Sequence, residues 1–257
     1  MHREGHMRQA AFDSRGSHIR WTEVSGAEPA RVYVHGLGSM SAVYHAHITA
    51  RPELAGRRGL FVDLPGHGTS DRPQDFGYTL DDHAHAVAVA LDTAGVTGAE
   101  LIAHSMGGAV AIVLADRRPD LVSRLVLTEA NLDAFPPSTA ASSGIAAHEE
   151  EEFVATGYAR VLDAVGPLWG ATMRLTDPRA LHRSAVGLCR GSSPVMRTLL
   201  EGLSVDRVFL QGEDSGELAG REGLEAAGVR VVTVPGAGHN VMFDNPGAFA
   251  AAVAGTD

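Results

Sequence analysis

Short apolar runs alternate with longer, helix-like stretches along most of the chain. Six of these runs hold four or five residues in which hydrophobic side chains predominate, the pattern of parallel strands that are buried on both faces. They lie at residues 31–34, 59–63, 99–103, 124–127, 207–210 and 230–234. Two further short strands are predicted at residues 9–14 and 18–24, on either side of a turn.

Helical patterns fill the gaps between these strands. Thr79 followed by Asp82 has the composition of a helix N-cap with an acidic residue in the first turn. The clearest helices are predicted at residues 79–94, 107–118 and 246–254. Regular alternation of strand and helix predicts an α/β protein with a doubly wound parallel sheet.

One interval, residues 133–203, interrupts the alternation because it contains no convincing strand. Its pattern is mostly helical, which is most simply a cap over the carboxyl edge of the sheet. The alternative is a flanking helical layer that takes no part in binding. The chain is therefore divided into a core at residues 9–133 and 204–257, a helical cap at 134–203, and a flexible tail at 1–8.

The amino-acid composition limits the reactions and partners that are expected of this protein. The 257 residues carry a net charge of −10, and all 21 basic side chains are arginine, so chemistry that depends on lysine is excluded. An acidic protein of this kind is not expected to bind nucleic acid. The single cysteine, Cys189, excludes an internal disulfide, and no apolar stretch has the length of a signal peptide or a membrane span. We expect a cytoplasmic protein whose partner is a small molecule; the sequence leaves the oligomeric state open.

The strongest chemical signal surrounds Ser105. The apolar strand at residues 99–103 leads directly into this serine, and Gly107 and Gly108 then open a helix. A serine on such a sharp turn presents its hydroxyl at the edge of the sheet. The backbone amide of Met106 at the start of the helix faces the place where an oxyanion would form. The alternative is a serine that merely caps an ordinary helix.

Three other segments fall where such a serine needs them. The loop after the strand at 31–34 contains Gly36 and Leu37, and it can turn the Leu37 amide toward the same oxyanion. Near the C-terminus, His239 lies on a loop of small residues, and histidine is the natural general base near neutral pH. The segment 63–73 connects a strand to the next helix.

These four segments, in this order, resemble the α/β-hydrolases. The resemblance covers the predicted core. It is much weaker in the predicted cap at residues 134–203. It implies an eight-stranded, mostly parallel sheet, and a catalytic triad of serine, acid and histidine that needs no cofactor.

The acid departs from the common family pattern, because Ser215 occupies the position where that pattern has aspartate. Asp214 or Glu213 could serve only if the turn were shifted. Glu129, at the carboxyl end of the strand at 124–127, is the alternative that we favour. In this respect the chain resembles haloalkane dehalogenases and zearalenone-lactonase-like hydrolases, in which a glutamate at that strand orients the histidine.

Other features are interpreted as structural. His45 with His47, and His83 with His85, are two residues apart and point to different faces of a helix, so no metal site is predicted. His67 and His104 are expected to be structural, and Cys189 to be packed inside the cap. Residues predicted to line an apolar pocket, or else to form the core of the cap, are Phe153, Tyr158, Trp169 and Met173, with Gly36 beside them.

The leading hypothesis is therefore hydrolysis of a carboxylic ester or lactone of a small, largely apolar substrate through an acyl-enzyme on Ser105. The serine argues against dehalogenase and epoxide hydrolase chemistry, because the relatives with those activities use an aspartate nucleophile. The alternatives are hydrolysis of a carbon–carbon bond in a diketone-like substrate, which can use the same residues, and a non-catalytic member of the fold that binds a ligand.

Overall fold

A computed structural model describes residues 6–137 and 144–255. Its eight strands form one sheet in the order β1-β2-β4-β3-β5-β6-β7-β8. The strands are β1 (His6–Ala11), β2 (His18–Val24), β3 (Ala27–Val34), β4 (Arg57–Asp63), β5 (Ala99–His104), β6 (Val122–Thr128), β7 (Asp206–Gly212) and β8 (Arg230–Val234). The pairs β1–β2 and β2–β4 are antiparallel and every other pair is parallel. The predicted mostly parallel, eight-stranded sheet is confirmed.

The start of the chain differs from its prediction. β1 begins at His6, three residues before the predicted strand, and pairs with β2 from His6 opposite Glu23 to Ala11 opposite His18. Residues 6–8, which were predicted to be part of a flexible tail, therefore belong to the sheet. They are held there by backbone pairing with β2, and the polar sequence of these residues gives no sign of that pairing. Residues 1–5 of that predicted tail lie outside the described residues.

Helices pack on both faces of the sheet. Alternate residues of β5 point to opposite faces of the sheet: Leu101 and Ala103 belong to the apolar cluster on one face, and Ile102 belongs to the cluster on the other. The helices of the core are α1 (Ser41–Thr49), α2 (Leu80–Thr93), α3 (Met106–Arg117), α9 (Arg221–Ala226), α10 (Val241–Asp244) and α11 (Pro246–Ala254). The Thr79 cap is confirmed, since the Thr79 and Asp82 side chains each accept a hydrogen bond from the other residue's backbone N–H.

The interval between β6 and β7, residues 134–203, is called the insertion below. In its described part, 134–137 and 144–203, it contains helices and no strand. These helices are a 3-10 turn (Ile145–Ala147), α4 (Glu150–Glu152), a π-helical turn (Phe153–Gly157), α5 (Tyr158–Ala164), α6 (Pro167–Met173), α7 (Pro178–Arg190) and α8 (Met196–Gly202). The π-helical turn separates α4 from α5 within this helical stretch.

Six parallel strands bring their carboxyl ends to one edge of the sheet. Register pairs Val34 with Ala103, and His104 with Thr128, so the loops that follow β3, β5 and β6 start side by side. Gly212 at the end of β7 is opposite Val234 at the end of β8. The loops that carry the candidate residues therefore converge at this edge, as expected for an open α/β sheet. In the described ranges, no helix has the length and apolar character to cross a membrane.

Candidate active site

Ser105 occupies the sharp turn between β5 and α3, and its backbone is strained there. Its φ is 53° and ψ is −123°, a conformation that residues other than glycine rarely adopt. The turn requires close packing of the first helical residues: a Cβ on Gly107 would lie 2.3 Å from the carbonyl oxygen of His35. A Cβ on Gly108 would lie 2.4 Å from the Cβ of Ala130. The small residues seen in the sequence thus let α3 start against the neighbouring loops.

The loop after β3 passes directly beside Ser105. A Cβ built on Gly36 would lie 3.0 Å from the Ser105 Cβ, so a side chain at this position would require one of the two residues to shift. The backbone N–H groups of Leu37 and Met106 take part in no loop or turn hydrogen bond among the described residues. Both donors are therefore free to bind an anion that forms beside Ser105.

Glu129 follows β6 and contacts His239. One carboxylate oxygen, Oε1, accepts a 2.7 Å hydrogen bond from the Gly212 N–H. The other, Oε2, lies 3.5 Å from His239 Nδ1, an ion-pair separation slightly longer than a hydrogen bond. The Glu129 side chain is 9% exposed, whereas the His239 side chain is 54% exposed. The acid that sequence reasoning favoured is therefore the one placed beside the imidazole.

The Glu129 backbone is strained in the same way as that of Ser105. Its φ is 50°, and its N–H donates to the Leu210 carbonyl at 3.0 Å. Only three described residues other than glycine have a positive φ, and two of them are Ser105 and Glu129; the third is Tyr78. Such outliers persist where surrounding structure enforces them, and they cluster at functional sites.

Asp214, the alternative acid, has a different position. It lies in a short 3-10 turn after β7, its side chain is exposed, and its backbone N–H donates to the Ala237 carbonyl at 2.9 Å. Among the described residues, no ion pair joins Asp214 to His239. The structure brings Glu129, and not Asp214, to the imidazole.

Ser105 and His239 are not hydrogen-bonded to each other within the described part of the chain. The two segments are linked instead through His104, the residue before Ser105, whose ring Nε2–H donates to the His239 carbonyl at 2.9 Å and whose ring centroid lies 4.8 Å from that of His239. Catalytic hydrogen bonds are often loose without substrate, so this geometry is compatible with a serine–histidine pair. Burial, assisted by the nearby His239, holds the pKa of His104 well below its usual value, so His104 stays neutral.

Several further histidines are buried and serve as neutral hydrogen-bonding groups. His35 Nδ1 donates to the Gly36 carbonyl at 2.7 Å and its Nε2 accepts from the Leu64 N–H at 2.9 Å, while burial lowers its pKa to about 4. His67 donates to the Pro65 carbonyl, and burial lowers its pKa to about 3. In each helical histidine pair one ring is buried and the other exposed. No group of three His, Cys, Asp or Glu side chains in ranges 6–137 and 144–255 could hold a metal ion.

The residues predicted to line a pocket divide into two groups. Phe153 is fully buried within the insertion, where its ring packs near Tyr158 and His182, and the Tyr158 hydroxyl donates to the Met173 carbonyl at 2.8 Å. Trp169 instead reaches the loop after β3.

Trp169 Nε1 donates to the Leu37 carbonyl at 2.8 Å, and the Met173 methyl group would lie 3.4 Å from a Cβ on Gly38. Thr172, which sequence reasoning missed, donates to the Gly38 carbonyl at 2.9 Å. A threonine inside a helix gives no signal of such a distant contact.

Comparisons with known proteins agree with this fold. A sequence model described as the alpha/beta hydrolase fold matches residues 31–181. An esterase of Mycobacterium tuberculosis is 32% identical over 180 residues, which cover 68% of this chain and 54% of that protein. A 2-hydroxymuconate semialdehyde hydrolase of a Pseudomonas species is 39% identical over 114 residues, which cover 44% of this chain and 40% of that protein. These matches span about half the length of the two relatives.

Among solved structures, an enol-lactonase from Burkholderia xenovorans LB400 superposes with a TM-score of 0.80. The alignment covers 97% of this chain and 99% of that one, at 21% sequence identity. At this identity the likeness shows the fold alone. The strand order and the inserted helices of the present chain are thus those of an architecture that supports many chemistries.

Proposed function

Because the chain belongs to the alpha/beta hydrolase fold family, we propose that it is a serine hydrolase that cleaves a carboxylic ester or lactone of a small, largely apolar substrate. The observation that carries the proposal is the contact of the Glu129 carboxylate with His239, at the sheet edge where the strained Ser105 turn lies. The similarity to an esterase over 68% of this chain supports the choice of bond.

In the first half of the reaction, Ser105 Oγ attacks the substrate carbonyl carbon while His239 Nε2 takes the hydroxyl proton. The carbonyl oxygen becomes an oxyanion, which the N–H groups of Leu37 and Met106 stabilise. The tetrahedral intermediate then collapses, the bond to the leaving oxygen breaks, and the imidazolium returns its proton to that oxygen. An alcohol leaves and the acyl group stays on Ser105; from a lactone, the hydroxyl remains attached to the acyl chain.

In the second half, His239 removes a proton from water, and the resulting hydroxide attacks the acyl carbon. Collapse of the second tetrahedral intermediate breaks the bond to Ser105 Oγ, which recovers its proton from His239. The carboxylic acid is released and the enzyme is regenerated. Glu129 holds the His239 ring with Nδ1–H toward its Oε2 and stabilises the imidazolium charge, while the Gly212 N–H fixes the carboxylate itself.

We propose that the insertion is the cap of this site. Trp169 and Met173 of α6 lie against the Leu37–Gly38 loop, so this helix covers the position of the oxyanion. Apolar side chains of the insertion and of the loop, such as Met173 and Leu37, belong to the same buried cluster as Met106. We expect a substrate bound beside this apolar cluster to lack a second charged group.

The proposal is tested with a fluorophosphonate probe and a panel of p-nitrophenyl acetate, short alkyl esters and lactones of several ring sizes. We expect stoichiometric labelling of the parent protein at Ser105 and turnover of at least one ester or lactone. Ser105→Ala removes the nucleophile, so labelling and turnover should disappear while thermal unfolding stays close to that of the parent. A Ser105→Ala variant that retains more than a tenth of the parent activity would exclude the serine mechanism.

A second candidate is hydrolysis of a carbon–carbon bond in a diketone-like substrate. Its supporting observation is the 39% identity with 2-hydroxymuconate semialdehyde hydrolase, whose name gives a carbonyl compound, and not an ester, as substrate. Ring-opened dienol-ketone substrates therefore belong in the panel. Turnover of these compounds at a rate far above that of every ester and lactone would favour the carbon–carbon reaction, and probe labelling without any turnover would favour a ligand-binding protein.

A further inference from the structure

Three consecutive carbonyl groups of the loop after β3 are held by hydrogen bonds. The Gly36 carbonyl accepts from the His35 ring at 2.7 Å and from the Ser39 N–H at 3.2 Å. The Leu37 and Gly38 carbonyls accept from Trp169 and Thr172 of α6, at 2.8 Å and 2.9 Å. The core thus holds the first carbonyl, and the insertion holds the next two, with a longer contact of 3.4 Å from the Ser39 hydroxyl to the Leu37 carbonyl.

The backbone conformation of this loop depends on those anchors. In a trans peptide the N–H and C=O groups point in opposite directions, so the contacts on the Gly36 carbonyl turn the Leu37 N–H the other way. The two anchors from α6 fix the planes of the following peptides and thereby limit rotation at Leu37 and Gly38. Gly38 has a φ of +67°, and a Cβ there would lie 2.8 Å from Trp169 Nε1, so glycine is needed for both the turn and the tryptophan contact.

We propose that Trp169 and Thr172 are positioning residues, which orient the Leu37 N–H for the oxyanion by anchoring its loop to the insertion. The inference rests on the proposed function. Thr172 is 2% exposed, so its hydroxyl acts through the loop and does not reach the substrate. The site is complete only while α6 lies on the loop, so the insertion contributes to the chemical step as well as to substrate selection.

The activity test uses p-nitrophenyl acetate, whose small acyl group leaves little substrate to contact the cap. Trp169→Phe keeps the ring but removes the donor, and Thr172→Val keeps the shape but removes the hydroxyl. We expect each substitution to lower kcat about tenfold with KM within about twofold, since an oriented oxyanion donor acts in the transition state. Thr172→Ser restores the hydroxyl and should return kcat to within about twofold of the parent.

Arg72→Met is the matched control. The Arg72 guanidinium donates to the Gly68 carbonyl at 2.9 Å and to the Leu175 carbonyl at 2.7 Å, so it also joins the core to the insertion, and among the described residues it makes no hydrogen bond to residues 36–39. This variant should leave kcat within about twofold of the parent. Unchanged kcat in both Trp169→Phe and Thr172→Val would overturn the proposal. A Thr172→Ser variant as slow as Thr172→Val, or an effect confined to KM, would overturn it as well.

Hydrogen exchange measured by mass spectrometry tests the anchoring without requiring turnover. Peptides that cover residues 35–41 should exchange faster in Trp169→Phe and Thr172→Val than in the parent and in Arg72→Met. Equal exchange in all four proteins would contradict the anchoring. A parent that neither labels at Ser105 nor turns over any substrate would instead overturn the proposed function, and exchange would still decide whether the two side chains hold the loop.

Discussion

At the scale of single residues, the position of Glu129 distinguishes it from the other carboxylates near the sheet edge. Glu129 is nearly buried, yet each of its two oxygens faces a polar group, the Gly212 N–H on one side and the His239 ring on the other. A buried carboxylate is costly unless it is paired in this way. Asp214 is exposed to solvent, so its carboxylate needs no protein partner. The two acids are therefore expected to respond very differently to neutralisation.

Replacing each carboxylate by its amide tests this difference. Glu129→Gln should lower kcat on the order of 10⁴-fold, because the amide no longer stabilises the imidazolium and can favour the wrong tautomer. Asp214→Asn should cost less than about tenfold. Steady-state kinetics on the best ester of the panel measure both, with circular dichroism to show that each variant is folded. If Asp214→Asn proves the more damaging substitution, the acid belongs to the turn after β7.

At the scale of secondary-structure elements, β7 and the His239 loop are packed backbone against backbone. A Cβ on Gly212 would lie 2.4 Å from the Ala237 carbonyl oxygen and 2.5 Å from that of Gly238. Gly212 has φ −69° and ψ 136°, which any residue adopts, so the close approach alone demands glycine. The separation of Glu129 from His239 thus depends on how closely β7 approaches this loop.

Gly212→Ala should push the His239 loop away from the end of β7. We expect overpacking to lower the free energy of unfolding by about 1–3 kcal/mol. The fall in kcat at 25 °C should be larger than the small fraction of unfolded protein at that temperature explains. Gly202→Ala is the control, because nothing lies within 4 Å of a Cβ at this position in α8. Urea denaturation and rates of ester hydrolysis, measured on the parent and on both variants, check these two expectations. An unaltered kcat in a folded Gly212→Ala would show that the loop accommodates the methyl group without moving His239.

At the scale of the whole molecule, buried neutral histidines make stability depend on pH. Burial lowers the pKa of His35 to about 4, those of His45 and His67 to about 3, and those of His83 and His104 well below the usual value. Well above pH 6.5 these rings are neutral in both the folded and the unfolded chain. Below it the unfolded chain takes up protons that the folded protein excludes, so stability is lost as pH falls.

The free energy of unfolding should therefore fall steeply between pH 6.5 and pH 5. Each such ring contributes about 1 kcal/mol over the first pH unit below 6.5, where the unfolded imidazole is only partly protonated, and up to about 1.4 kcal/mol per unit below that, so all five together remove on the order of 5 kcal/mol over the first unit, comparable to the whole stability of a domain. Urea titrations across this range measure the slope. His45→Asn keeps a donor for the Ser41 carbonyl but cannot be protonated. The number of protons taken up on unfolding, which sets the slope of stability against pH, should therefore fall by one. A slope that is equal in parent and variant would show that His45 does not contribute.

The sequence by itself determined the strands of the parallel sheet and the turn at Ser105. Strands covered on both faces need continuous apolar runs, and a turn between β5 and α3 that packs on the next loop needs Gly107 and Gly108. These requirements act on residues close together in the chain, so they leave a readable pattern. The same logic located α11 at Pro246–Ala254, but it did not single out α1, whose buried face mixes Ser41 and His45 with apolar side chains.

Only the tertiary structure decided which carboxylate faces His239 and what α6 contacts. The sequence favoured Glu129 on a family resemblance, yet its distance to the imidazole depends on the register of β6 and β7 and on the Gly212 N–H, 83 residues away. The hydrogen bond from Thr172 to the Gly38 carbonyl likewise joins residues 134 positions apart. Such contacts form when the sheet and the insertion pack together, and a single hydroxyl or carboxylate bears no mark in the sequence of the partner that folding brings to it.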